Sequence, residues 1–220
     1  RDAVEGWVGV EKLVAAGPTL AAESRGARWL DKERVDRLRS GDGVWLQIPY
    51  RTQLDGSRAA AANCGPASIG MILEYFGVPT TTAELRSVAH RLQGTTGADT
   101  GFAIEHLLRA VELLGMNGYD LYSGKDFKKW SLDDVRAHVA NGHPVVPQLR
   151  FRMMPGRNHS DYWEDHYVVL CGVQGKDFIY SDPVDIEGPG HGRLMSAEDL
   201  ERAWSTSYFP FAAFAVAWRK

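Results

Sequence analysis

The apolar residues of this chain change their spacing at Pro144, and that change restricts the architecture more than any single motif does. Upstream they recur every three or four positions, as in Ile69, Ile72, Leu73 and Phe76, then Leu85, Val88 and Leu92, then Ile104, Leu107, Leu108, Val111 and Leu114. That is the spacing of one face of an α-helix. Downstream the apolar residues form short runs: Val145 to Phe151, Tyr167 to Val173, Phe178 to Ser181 and Phe211 to Trp218, with a short helix from Ala197 to Trp204 before the last. Runs of that length between turn residues predict strands. Helices gathered first and strands later predict an α+β fold.

Punctuation residues sharpen the outline. Thr81-Thr82-Ala83-Glu84 has the form of a capping box and predicts a helix start. A polar loop runs from Gly94 to Gly101, and a helix from Ser131 to Asn141 is stopped by Gly142 and Pro144. Residues 1–44 are rich in Ala, Gly, Arg and Glu, with a weak helical pattern from Ala27 through Leu38 and a turn at Ser40-Gly41-Asp42-Gly43 before the apolar run from Val44 to Ile48. They read as an N-terminal extension to a domain covering 45–220.

Composition narrows the function. A chain of 220 residues, 44% of them hydrophobic, can bury the core of one domain. The formal net charge is −3 and the basic residues are scattered, which leaves no footprint for a phosphate backbone and argues against nucleic acid as a partner. The apolar stretches are far shorter than the roughly 20 residues a membrane-spanning helix needs. Two cysteines occur, Cys64 and Cys171; Cys171 lies inside an apolar run and reads as a small core residue.

Cys64 reads differently. It opens the run Asn63-Cys64-Gly65-Pro66-Ala67-Ser68, where Pro66 suits a first helical turn and Gly77 supplies a stop, so a helix should begin at or just after the sulfur. Free backbone N–H groups and the positive end of the helix dipole then point at the sulfur and favour thiolate over thiol. A thiolate at that position is a candidate nucleophile.

Such a nucleophile needs a base, and His166 introduces the apolar run that begins at Tyr167. The imidazole needs an orienting acceptor, which Asp182 offers at the end of the next strand, just before Pro183. Each also has a plain structural reading, a histidine at a strand entrance and an ordinary turn former. Parity decides between the readings. With a three-residue turn at Gln174-Gly175-Lys176, or a bulge with the same effect, Val168 falls opposite Asp182 and His166 shares its face; a two-residue turn alone puts them on opposite faces. Gln53, eleven residues ahead of Cys64, is either a solvated loop residue or a side-chain amide donor for an oxyanion, acting beside the backbone N–H of Cys64.

Taken together, Ile48-Pro49-Tyr50-Arg51-Thr52-Gln53, Asn63-Cys64-Gly65-Pro66-Ala67-Ser68, Asp165-His166-Tyr167-Val168-Val169 and Ser181-Asp182-Pro183 resemble the papain-like superfamily, specifically the free-standing relatives of the bacteriocin-processing (double-glycine leader) cysteine peptidases. The resemblance covers roughly residues 46–218. It implies a helical half packed against an antiparallel sheet with the site in the cleft between, Cys64 as nucleophile, His166 as general base and acid, Asp182 as orienter and Gln53 as oxyanion donor. It also implies a peptide or peptide-like substrate, no cofactor, a bacterial origin and a secreted or envelope location.

Other readings of the polar residues are weaker. His159, Asp161, Glu164, Asp165 and His166 are dense enough to suggest a metal, but their spacing is not that of a helix-borne zinc motif, and a solvated loop is the simpler reading. The same loop holds Met153, Met154, Tyr162 and Trp163, which either wall a substrate groove or pack on the surface. His191, within Gly188-Pro189-Gly190-His191-Gly192, is a reserve base, and that stretch lacks the Lys and Ser/Thr of a phosphate loop. The leading expectation is a cysteine peptidase or amidase. The alternatives are acyl transfer to an amine or thiol on the same residues and a non-catalytic module that binds peptide or cell wall.

Overall fold

Local signals set where each element starts and stops. The structure, a computed structural model, describes residues 28–119, 122–123, 126–127, 129–185 and 188–219; residues 1–27, most of the expected extension, lie outside the described residues. Six α-helices occur among the described residues: α1 (Lys32–Arg39), α2 (Cys64–Tyr75), α3 (Thr82–Gln93), α4 (Ile104–Leu113), α5 (Leu132–Ala140) and α6 (Ala197–Ser205). The side chains of Asp31, Thr81, Ser131 and Ser196 accept from a backbone N–H in the first turn of α1, α3, α5 and α6 respectively, and at Thr81 and Ser131 the reciprocal bond completes a capping box. Asp31 explains why α1 begins later than the weak pattern from Ala27 suggested: the residues before it form a strand.

The strands are β1 (Arg28–Trp29), β2 (Val44–Trp45), β3 (Met116–Tyr119), β4 (Tyr122–Ser123), β5 (Asp126–Phe127), β6 (Val145–Arg150), β7 (Asp165–Tyr167), β8 (Val169–Gln174), β9 (Asp177–Ser181), β10 (Arg193–Ser196) and β11 (Ala213–Trp218). Nine of them form one sheet in the order β1-β10-β9-β8-β6-β11-β3, with β2 paired to β8 and β7 to β6; β4 and β5 pair separately. Every pairing is antiparallel. The run expected as one strand from Tyr167 to Val173 is divided at Val168 into β7 and β8. β3 and β10 were not foreseen, because Asn117-Gly118 and Arg193 interrupt any apolar alternation.

Alternation along the strands feeds two cores. Ile179, Leu194, Phe214 and Val216 pack with Ile69, Ile72, Leu107 and Val111 of α2 and α4, whereas Phe178, Tyr180, Met195, Ala213 and Ala215 pack with Val135, Val139, Leu200 and Trp204 of α5 and α6. The sheet is thus covered on both faces. α2 is central: every residue from Cys64 to Leu73 is buried, and each large aliphatic side chain there contributes roughly 1.5–3 kcal/mol by leaving water. Gly65 lets α4 come close, since a Cβ at that position would lie 2.7 Å from Leu107 Cδ1. The hydroxyl of Ser68 donates to the carbonyl of Tyr167 at 3.1 Å, which fixes the head of α2 against β7.

Candidate active site

Cys64 is the first residue of α2, at the helix terminus where first-turn N–H groups have no intrahelical acceptor. It is 6% exposed and lines a cleft of about 770 Å³ between the α2–α4 layer and the sheet. The opposite wall carries Gln148 of β6 and Asp165 and Tyr167 of β7, and the loop from Gln93 to Ala103 closes one side.

β7 brings His166 to Cys64. The imidazole is 3% exposed, lies within electrostatic reach of Cys64, and places Nε2 2.8 Å from Asp182 Oδ1, so Nδ1 is the ring nitrogen left for the thiol. Phe151 meets the ring edge-on at a centroid distance of 5.3 Å and limits its rotation.

The hairpin achieves this parity by the bulge and not by the three-residue turn. Gln174 pairs with Asp177, so only Gly175 and Lys176 lie between the strands. Gly175 has φ +59°, the left-handed conformation that mirror-image hairpin turns require at their first central residue. Alone, this turn would send His166 and Asp182 to opposite faces. The register then steps from Gly172↔Ile179 to Leu170↔Tyr180 and Val169↔Ser181, leaving Cys171 as the extra residue of a β-bulge. Carried one step past Val169↔Ser181, this register sets Val168 against Asp182 and so puts His166 on the face of Asp182, where the two side chains meet at 2.8 Å. Glycine at 172 makes the bulge possible beside β2, because a Cβ there would sit 2.6 Å from the carbonyl oxygen of Val44.

Asp182 is fully buried and fully satisfied. Oδ1 also accepts from the backbone N–H of Val184 at 3.1 Å, while Oδ2 accepts from Arg157 at 3.1 Å and lies 3.9 Å from Arg193. Arg193 is itself held by Asp185 at 3.0 Å and by the Tyr180 hydroxyl at 3.1 Å, and the Trp29 indole donates to Asp185 at 3.2 Å. Burial alone would raise the carboxyl's pKa; His166, Arg157 and Arg193 overcome it and hold Asp182 well below the usual carboxylate range. Burial likewise opposes charge on His166, but the adjacent Asp182 carboxylate and the Cys64 thiol outweigh it and raise the imidazole to about 9. The ring is therefore an imidazolium at neutral pH. Sequence reasoning missed Arg157, Arg193 and Asp185. Their only signal was an arginine at 193 beside Leu194 and Met195, a charge among core residues.

Gln53 is buried against the turn that leads into Cys64. Its backbone N–H donates to Pro183 at 2.8 Å, and its side-chain nitrogen donates to the carbonyls of Ala60 at 3.0 Å and Ala61 at 3.3 Å, just ahead of Cys64. Its Oε1 is buried without a hydrogen-bond partner. Reversing the amide would face that oxygen to two carbonyls, so the orientation is settled by its neighbours.

Other candidates lie elsewhere. His191 is exposed and bonds the carbonyl of Pro189 at 3.0 Å. Met154 is in the core beneath α6, whereas Trp163 is exposed with Arg152 stacked on it at 4.2 Å. Asp165 receives bonds from Gln148 at 2.8 Å and from the Tyr208 N–H at 2.7 Å; burial nonetheless pushes its carboxyl upward. Cys171 is sealed in the bulge with its thiol donating to Ile179 at 3.5 Å, and burial pushes it up to about 12. Among the described residues, no group of three or more His, Cys, Asp or Glu is placed to hold a metal ion, and no helix is long and apolar enough to cross a membrane.

A cysteine at the head of a central helix, facing a histidine on an antiparallel sheet across a cleft, defines the papain-like class. The chain belongs to the Peptidase_C39 like family, whose model matches residues 45–210. No curated protein matches the sequence. Among solved structures, a C39-like peptidase from Bacillus anthracis superposes with a TM-score of 0.57 at 20% identity, covering 81% of this chain and 98% of that one. A double glycine motif protease from an AMS/PCAT transporter, solved with its leader peptide, gives 0.50 at 18% identity over 79% of this chain and 93% of that one. Procathepsin L 3 of Tenebrio molitor larval midgut gives 0.50 at 12% identity over 91% and 78%. At such identities the likeness is one of fold: mixed helix and antiparallel sheet in the papain-like arrangement.

Proposed function

We propose that this chain hydrolyses a peptide or related amide bond through an acyl-enzyme on Cys64. The observation that carries the reading is the convergence of Cys64, His166 and Asp182 at the cleft: His166 is hydrogen-bonded to Asp182 at 2.8 Å and lies within electrostatic reach of Cys64, which lines the cleft. In the first half-reaction the Cys64 sulfur bonds to the carbonyl carbon, the His166 imidazolium gives its proton to the amine nitrogen, and the C–N bond breaks to leave a thioester. In the second, water attacks the thioester while His166 takes a proton from it, and the sulfur leaves with the acyl group released as a carboxylic acid. Asp182 holds the Nε2–H and the ring orientation throughout.

The backbone N–H of Cys64 is the first oxyanion donor. Gln53 serves as the second when its amide turns from the carbonyls of Ala60 and Ala61, a movement that gives its buried N–H groups to the developing charge. A peptide is the fitting substrate, as the transporter protease solved with a leader peptide illustrates for its own fold. The catalytic domain runs over 45–220, and the residues before it are an extension that lays β1 along the edge of its sheet.

Mass spectrometry of peptide libraries after incubation tests the proposal. New termini should appear with the wild-type chain and be absent with Cys64→Ala, and a thiol-directed electrophile should label Cys64. Equal cleavage by both proteins would refute it.

A further inference from the structure

Arg86 lies on α3, outside every motif of the site, yet its guanidinium is turned inward and only 7% exposed. Nη1 donates to the carbonyl of Ala62 and to Asn63 Oδ1, each at 3.3 Å, on the two residues directly ahead of Cys64. Nη2 donates to three carbonyls of the loop after α3: Gly97 at 2.7 Å, Ala98 at 2.6 Å and Thr100 at 3.0 Å. The guanidinium also lies over the Phe102 ring, 5.0 Å from its centroid. Asp99, Thr100 and Phe102 line the cleft together with Cys64. One side chain therefore joins the approach to the nucleophile to the loop that closes one side of the cleft.

We propose that Arg86 is a positioning residue with two separable effects: its charge, held behind the head of α2, favours the thiolate of Cys64, and its fork of donors gives the loop 94–101 its shape. The inference rests on the peptidase reading only for its consequence in turnover. Three carbonyls converging on one nitrogen would repel one another without the cation, so the loop has no reason to keep this path once the guanidinium is gone. Burial pushes the guanidinium's pKa down, and the charges of Cys64, Asp99 and Asp55 resist that change, which places Cys64 within electrostatic reach of Arg86. Besides Arg86, Cys64 is faced by His166 of β7 and by the phenols of Tyr162 and Tyr167, whereas Arg86 is faced by Asp55, Asp99 and His90. Arg86 and His166 are thus the two cations of this set that act on the sulfur, one carried by α3 and the other by β7.

Lysine retains the charge and loses the fork, whereas methionine loses both. The full chain carrying R86K or R86M is compared with wild type in two measurements that need no peptidase activity: the rate of Cys64 alkylation by iodoacetamide against pH, and amide hydrogen exchange in residues 94–101. R86M should alkylate about tenfold more slowly at pH 7, with the deficit closing as the pH rises. R86K should alkylate within about threefold of wild type while its loop amides exchange at least tenfold faster. On substrate, R86K should raise KM with little change in kcat, and R86M should lower kcat as well. A folded R86M whose alkylation profile superimposes on wild type overturns the electrostatic half. Unchanged exchange in R86K overturns the positioning half, and that variant decides the matter if R86M does not fold. Should neither the wild type nor R86K turn over any peptide while both shifts occur, the inference stands and the peptidase reading fails.

Discussion

Cys64 and Cys171 are both free thiols and both buried, 6% and 1% exposed, yet their surroundings prepare them for opposite fates. Cys64 begins a helix, lines a cleft and has the His166 imidazole within electrostatic reach. Cys171 is the extra residue of a bulge, donates to a strand carbonyl, and is held in the thiol form up to about pH 12 by burial. Burial alone does not make a cysteine inert or reactive; what matters is whether a cation is buried with it. The two sites are also connected, because the bulge at Cys171 is what turns His166 toward Asp182.

The largest effect should come from exchanging each cysteine for alanine. Cys64→Ala should abolish electrophile labelling and turnover, whereas Cys171→Ala should keep activity within about threefold and lose about 1 kcal/mol of stability, read from denaturant unfolding and progress curves. Loss of labelling in the second variant would erase the contrast.

Asp182→Asn strips the counter-charge from Arg157 and His166, and should cost about 3–5 kcal/mol of stability. It also has a pH signature. Because the folded-state value of His166 is raised to about 9, its pairing contributes stability in full below about 6.5 and loses it as the pH climbs through about 9. Asp182, held low, contributes above about 3.9 and loses its contribution as the pH falls. Wild-type stability should therefore peak between about pH 4 and 6.5 from this pair, with activity failing on the alkaline side near 9. In the asparagine variant, burial of the ring acts with no carboxylate to oppose it, so the alkaline limb should move to lower pH.

Gln53→Ala should reduce kcat by about 10²–10³-fold with KM little changed, the loss of one oxyanion donor. A fall in melting temperature without that kcat loss would reduce Gln53 to a brace for Ala60 and Ala61. The smallest effect belongs to Gly172→Ala, where the new methyl meets the Val44 carbonyl and Ile179, at a cost of about 1–3 kcal/mol. Activity should fall together with stability, since the bulge sets the parity on which His166 depends.

The head of α2 was legible because its signals are local: Pro66 in the first turn, apolar residues at helical spacing, and Gly77 with φ +76° just past the end. The same holds for the caps at Thr81 and Ser131. The hairpin was legible only as a condition on parity, since the bulge lies where β2, more than a hundred residues upstream, brings the Val44 carbonyl close to Gly172. Arg157 and Arg193 were invisible for a related reason: charges usually mark a surface, and here the anion that neutralises them arrives from another part of the chain. Gln53 was placed by spacing, but spacing carries no information about which acceptors an amide will find.

The indole of Trp29 reaches Asp185, which holds Arg193, which in turn stands behind Asp182. β1, to which Trp29 belongs, extends the sheet edge beside β10, upstream of the stretch that matches the family. Trimming the protein back to residue 45 would amputate that prop and leave Arg193 and Asp182 less firmly braced, so a fragment that begins at Arg28 should resist denaturant better than one that begins at residue 45.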